Sequence, residues 1–172
     1  MAKSDSFFIR ATQNIENDNN FYEGAIDLGA YVDALGKSVL RIHNIAVAFT
    51  DSTGRSPDLK TGGETTCAAQ FQLTTQSNSD IVLGTNKSVI AQGQINAIRV
   101  PNSTGVASSV SHDLDNLPQL WTNGYLVAVD SIYLGGAALS TWNEEVYVTV
   151  TMECTVESMS QASAMALALS QQ

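Results

Sequence analysis

Residues 144–157 constrain the fold of this chain more than any other stretch. They read Glu-Glu-Val-Tyr-Val-Thr-Val-Thr-Met-Glu-Cys-Thr-Val-Glu. Val146, Val148, Val150, Met152, Cys154 and Val156 take the even positions. Glu145, Tyr147, Thr149, Thr151, Glu153, Thr155 and Glu157 take the odd ones. Successive side chains of a strand point to opposite faces, so the pattern predicts one dry face and one wet face. Branching at Cβ suits Val and Thr to such a pleated surface. A two-faced antiparallel sheet follows. Glu144, Glu145, Glu153 and Glu157 bracket the Val/Thr centre, as charges do that guard a sticky strand against aggregation.

The remaining chain reads the same way. Residues 1–5 are expected to be a flexible arm. Residues 6–13 form a strand with Phe7, Ile9 and Ala11 opposed to Phe8, Arg10 and Thr12. A polar turn over 14–20 leads to a strand over 21–28, then a connection over 29–37. In the long strand 38–50 the dry parity changes, from Leu40 and Ile42 to Ile45, Val47 and Phe49. Either a β-bulge near His43 and Asn44 or burial of both faces produces that switch. A long loop over 51–66 precedes a strand over 67–75, with Cys67, Ala69, Phe71 and Leu73 dry and Gln70, Gln72 and Thr74 wet. A turn over 76–80 and a short strand over 81–83 follow. Residues 88–100 make one bent strand, or two around Gly93, ended by Pro101. Residues 101–120 read as a second long loop, and 122–124 as a turn. Residues 125–134 are almost continuously apolar, as in a strand buried on both sides or packed on a partner. Gly135 and Gly136 begin the loop back. About eight strands at this spacing predict an all-β sandwich or barrel.

The tail over 158–172 reads as helix. Ser158 and Gln161 fit a capping box. Met159, Ala162, Met165, Ala166 and Leu169 recur at helical spacing in a run without charge. A helix this short needs a surface to dock on. Its own barrel and a neighbouring copy are both candidates, and the neighbour is favoured.

Composition narrows the function. The chain has 172 residues, 44% of them apolar, enough for a single domain with a real core. Only 15% are charged, and the net charge is −9. Affinity for nucleic acid comes mostly from Lys and Arg on phosphates, and no basic cluster exists here, so direct nucleic-acid binding is not expected. The N-terminus carries no apolar signal region, and no apolar run approaches the length of a membrane span, so synthesis in a cytoplasm is expected. There Cys67 and Cys154 are expected to be buried, reduced thiols. A bridge would require their strands to be adjacent.

No catalytic set emerges, so the chain does not read as an enzyme, and no cofactor is expected. His43 reads as a packed strand residue. His112 lies in Ser-His-Asp, but a triad needs convergence in space rather than adjacency in sequence. Two histidines alone make no standard zinc site. Asp113, Asp115 and Asn116 offer oxygen ligands to Ca²⁺, although the glycine turn and distal glutamate of a calcium loop are missing, and a solvated acidic loop is the other reading. Trp121 and Trp142 flank the apolar strand over 125–134. They suit either a sugar platform or core and interface packing.

Strand count, the final strand from Glu144 and the small-residue tail Ser-Gln-Ala-Ser-Ala-Met-Ala-Leu-Ala-Leu-Ser-Gln-Gln resemble the single jelly-roll capsid proteins. The resemblance is to the smaller major capsid proteins of tailless, membrane-containing icosahedral dsDNA viruses of archaea and thermophilic bacteria. It implies a jelly-roll domain over residues 1–172 that stands upright in the shell. It also implies a virion location, self-association, and pairing with a second capsid protein near an internal membrane. The chain lacks the extreme acidity of the salt-loving members. Met159, Ala162, Met165, Leu169, Trp121 and Trp142 are the expected assembly contacts. A carbohydrate-binding or attachment β-sandwich is the alternative.

Overall fold

A computed structural model describes residues 4–33, 37–61, 65–100 and 109–171, with the side chains of Asp115 and Asn116 excepted. The described elements are β1 (Phe7–Asn14), β2 (Phe21–Asp27), β3 (Ser38–Thr50), β4 (Thr65–Thr74), β5 (Val89–Arg99), β6 (Ser109–Asn116), β7 (Tyr125–Val127), β8 (Ser131–Ala138), β9 (Tyr147–Ser158) and the helix α1 (Gln161–Ser170). They build two antiparallel sheets, ordered β1-β9-β3-β7 and β2-β8-β4-β5-β6. Apart from the run β4-β5-β6, every connection between consecutive strands passes from one sheet to the other. With β6 set aside as an added edge strand, this is the eight-stranded jelly roll.

The stretch over 144–157 lies at the centre of the first sheet. β9 pairs with β1 on one side and β3 on the other. Val146, Val148, Val150, Met152 and Cys154 are all fully buried between the sheets. They meet Phe49, Phe71, Ile95 and Leu134 in one continuous core. Phe49 and Phe71 cross edge to face at 6.1 Å, joining the two sheets. The parity switch in β3 is a bulge: Ile42 pairs with Cys154 and Asn44 with Glu153, leaving His43 as the extra residue.

Beyond the bulge the strand faces differ from the simple alternation. Thr155 and Glu157 are buried and Val156 is half-buried. Glu157 is therefore not a guard against aggregation. Its carboxylate takes a two-pronged contact from Arg41, Nε to Oε1 at 2.7 Å and Nη2 to Oε2 at 2.9 Å. Such fork-to-fork geometry is the strong form of the ion pair.

Three glutamine side chains stand in for missing strand partners. Gln72 accepts from the Val82 amide at 2.9 Å and donates to the Val82 carbonyl. Gln119 accepts from the Ile45 amide and donates to its carbonyl, both at 3.0 Å. Gln171 accepts from the Ala128 amide at 3.0 Å and donates to the Leu126 carbonyl at 2.6 Å. A primary amide carries donors and an acceptor as a peptide group does, so it satisfies backbone that a ladder leaves open. This explains in part how a chain so poor in charge keeps its polar backbone paired.

Several sequence expectations change. Residues 81–83 are not a strand, because the Gln72 side chain, not a strand, pairs with Val82. With Gln72 so engaged and Thr74 bonded to the Gln76 carbonyl, both are buried rather than wet. Residues 88–100 form one strand, β5. The expected loop over 101–120 contains β6 and a 3-10 turn at Pro118–Leu120, while residues 101–108 lie outside the described residues. The apolar run over 125–134 is two strands in different sheets, broken where the chain crosses between them. Gly135 and Gly136 do not begin a loop but lie inside β8. A Cβ on Gly135 would sit 2.5 Å from the Phe21 ring, and one on Gly136 would sit 2.4 Å from the Gln70 carbonyl oxygen. Close packing between strands, not a turn, requires glycine at both. The expected arm is already tied at Ser4, whose amide donates to the Val156 carbonyl at 3.0 Å. The described residues begin there.

Candidate functional site

The tail helix is the first candidate. Its N-cap is Ser160 rather than Ser158, because β9 runs through Ser158; the Ser160 hydroxyl accepts from the Ser163 amide at 3.2 Å. Ala164 and Ala168 are buried against Val39 and Ala128, with Leu126, Met159 and Leu167 packed beside them. Small side chains bring the helix close to the outer face of β3 and β7. Gln171 closes the far end, and its backbone carbonyl also accepts from the Thr75 hydroxyl at 2.7 Å. The helix thus docks on its own barrel, which corrects the preference for a neighbouring copy. Met159 belongs to that internal contact. Ala162, Met165 and Leu169 point outward, with Met165 43% and Leu169 67% exposed. Two apolar faces therefore exist, one used within the chain and one open.

The two tryptophans separate. Trp142 is 1% exposed, and its indole N–H donates to the Ala68 carbonyl at 3.0 Å. Trp142 belongs to the core and presents nothing to a sugar or a neighbour, because its polar edge is paired and its ring is enclosed. Trp121 is 39% exposed and tilts against Tyr125 at a ring distance of 6.1 Å. It follows exposed Leu120 at the edge where the chain crosses from β6 to β7. Sequence reasoning missed the exposure of Leu120 and of Leu83; Leu83 follows Ile81 and Val82 and reads as strand, and Leu120 stands beside Trp121, so neither announces an open side chain.

The remaining polar candidates do not converge. His43, the bulge residue, lies 2.9 Å from the Thr155 hydroxyl. His112 and Asp113 lie on β6, paired opposite Ile95 and Gln94. Asp113, Asp115 and Asn116 thus follow an extended strand instead of the loop expected for a Ca²⁺ site. An extended backbone does not wrap its oxygens around one point as a calcium loop does. Among the described residues no group of three or more His, Cys, Asp or Glu is placed to hold a metal ion. Cys67 and Cys154 are buried free thiols. Burial pushes the Cys154 thiol up to about 12, with nearby Glu153 adding to the effect, so it carries no thiolate at neutral pH. No helix among the described residues is long and apolar enough to cross a membrane.

No protein-family model matches the chain, and no curated protein matches it in sequence. Solved structures with similar folds include the unassembled pentamer of Merkel cell polyomavirus VP1. It is 7% identical, with 91% of this chain and 97% of that one covered and a TM-score of 0.45. VP1 of trichodysplasia spinulosa-associated polyomavirus is 8% identical over 88% and 96%, with a TM-score of 0.46. Cocksfoot mottle virus is 8% identical over 95% and 98%, with a TM-score of 0.37. All three neighbours come from viruses. Likeness at this level carries no activity across.

Proposed function

We propose that this chain is a structural, self-assembling subunit of a viral capsid, joined to its neighbours in an icosahedral shell through barrel-to-barrel contacts. The observation that carries the reading is the open outer face of α1, where Ala162, Met165 and Leu169 stand on a jelly roll. A chain of net charge −9 resists close approach of its own copies. Residues 158–172 contain no charged side chain, so the open helix face is a place where two copies approach without that penalty. Exposed Leu120 and Trp121 offer a second apolar patch at the barrel edge.

Within this reading the subunit is the smaller capsid protein of a tailless, membrane-containing dsDNA virus and acts in the virion after synthesis in the host cytoplasm. It pairs with a second capsid protein. The net charge of −9 suits a shell whose genome contact is made by something else, such as an internal membrane. The role is scaffolding rather than catalysis.

Charge on the open helix face tests this directly. Met165→Glu with Leu169→Glu is expected to leave the circular dichroism spectrum unchanged and stability within about 0.5 kcal/mol, the range for exposed positions. The same double variant is expected to lose its higher-order species in velocity sedimentation. Assembly equal to that of the unaltered chain would remove α1 from the contact.

A further inference from the structure

We infer that the outer face of the second sheet carries a binding cleft for an uncharged saccharide, formed by the amides of Gln70, Gln92 and Gln94 and the carboxylate of Asp113. The cleft has a volume of about 400 Å³ and is bordered by residues 81–84. That is within the size range of small-molecule sites.

The strand register builds its floor. Gln70 on β4 pairs opposite Gln94 on β5, and Gln94 pairs opposite Asp113 on β6. One row of polar side chains therefore crosses three strands. Gln72 and Gln92 make the adjacent row. Gln72 is spent on Val82, and its Nε2 also reaches the Gln92 oxygen at 3.2 Å, which orients that amide. Gly84 leaves room for it, since a Cβ there would lie 2.6 Å from Gln92 Nε2. Leu83, 80% exposed, supplies an apolar rim.

The chemistry of these groups selects the ligand class. A sugar hydroxyl both donates and accepts, and a primary amide answers both roles in one plane. The carboxylate of Asp113 adds acceptors. Among the described residues no Lys, Arg or His lines the cleft. Asp113 and the net charge of −9 oppose an anionic ligand, so a neutral sugar fits better than a sialylated or phosphorylated one. A peptide added as a strand is disfavoured here, because the ladder bonds between β4, β5 and β6 already occupy the backbone under the cleft. The inference does not depend on the capsid reading.

The test is a heteronuclear NMR titration of the full chain with lactose, N-acetyllactosamine and maltotriose. Sialyllactose and a neutral Gly-Ser peptide complete the set. At least one neutral sugar is expected to give saturating shifts at the side-chain amides of Gln70, Gln92 and Gln94, with weaker binding of sialyllactose. Gln70→Ala and Gln94→Ala together are expected to weaken that binding about tenfold or more, as the loss of ligand hydrogen bonds does. The thermal midpoint of this variant is expected to stay unchanged, which separates lost contacts from lost fold. Silence with every neutral sugar, shifts confined to other residues, or stronger binding of the peptide or of sialyllactose would each overturn the inference.

Discussion

Val150→Asp is expected to leave no folded protein. Val150 pairs with Ala11 on one side and Val47 on the other, and it is fully buried between the sheets. A carboxylate there would lose its hydration, and the adjoining core is formed by apolar side chains. An unpaired charge in such a place costs many kcal/mol or forces the group to protonate; even then a polar group stays buried in an apolar core. Whole-domain stability is only about 5–15 kcal/mol, so the substitution removes most or all of it. Thr151→Asp is the control. Thr151 faces the other way, opposite Arg10 and Ala46, and is only half-buried. It is expected to unfold cooperatively at nearly the parent temperature. A cooperative, parent-like transition for Val150→Asp in circular dichroism would contradict the placement of this face.

Glu157→Ala is expected to be the most damaging change to a charged residue examined by thermal melting. Glu157 is 1% exposed and Arg41 14% exposed. The Glu157 carboxylate, mainly through its hydrogen bonds, holds the Arg41 guanidinium even more firmly protonated than usual. Removing the carboxylate leaves a largely enclosed cation, at a cost of about 3–5 kcal/mol. For a chain of this size that lowers the melting temperature by roughly 10 °C. The pair lies on the outer face of the first sheet, beside the seat of α1, so helix signal is expected to fall with it. Arg41→Met with Glu157→Met is expected to recover most of the loss, because burying two apolar side chains avoids both desolvation costs. A single substitution without a measurable shift would contradict the pair's structural role.

The strand over 144–157 was readable because its even positions as far as Cys154 all face the core, while Tyr147, Thr149, Thr151 and Glu153 opposite them are only half-buried. The bulge at His43 was readable for the same reason, since a parity change has few physical causes. β6 was not readable: it is an edge strand with one half-buried leucine, Leu114, so Ser109–Asn116 shows no dry face. The break between β7 and β8 was hidden because Val127, Ala128 and Val129 stay buried while the chain changes sheets. Glu157 was misread because a carboxylate under a helix looks in sequence like one in water. The helix itself was legible as an element but not in its orientation. With apolar residues all round, nothing in the sequence says which face is used first, and the close-packing alanines took the barrel while Met165 and Leu169 stayed outside. Among the candidate contacts, Trp142 went to the core and Trp121 stayed at the surface. A tryptophan at the end of a strand suits either place until its indole partner is known.

Self-assembly is the central claim, and electron microscopy of the purified full chain, imaged as concentration is raised, tests it most directly. Regular sheets, rings or closed shells are expected, with the outer faces of α1 at the contacts between barrels. Dispersed single barrels at every concentration would contradict it.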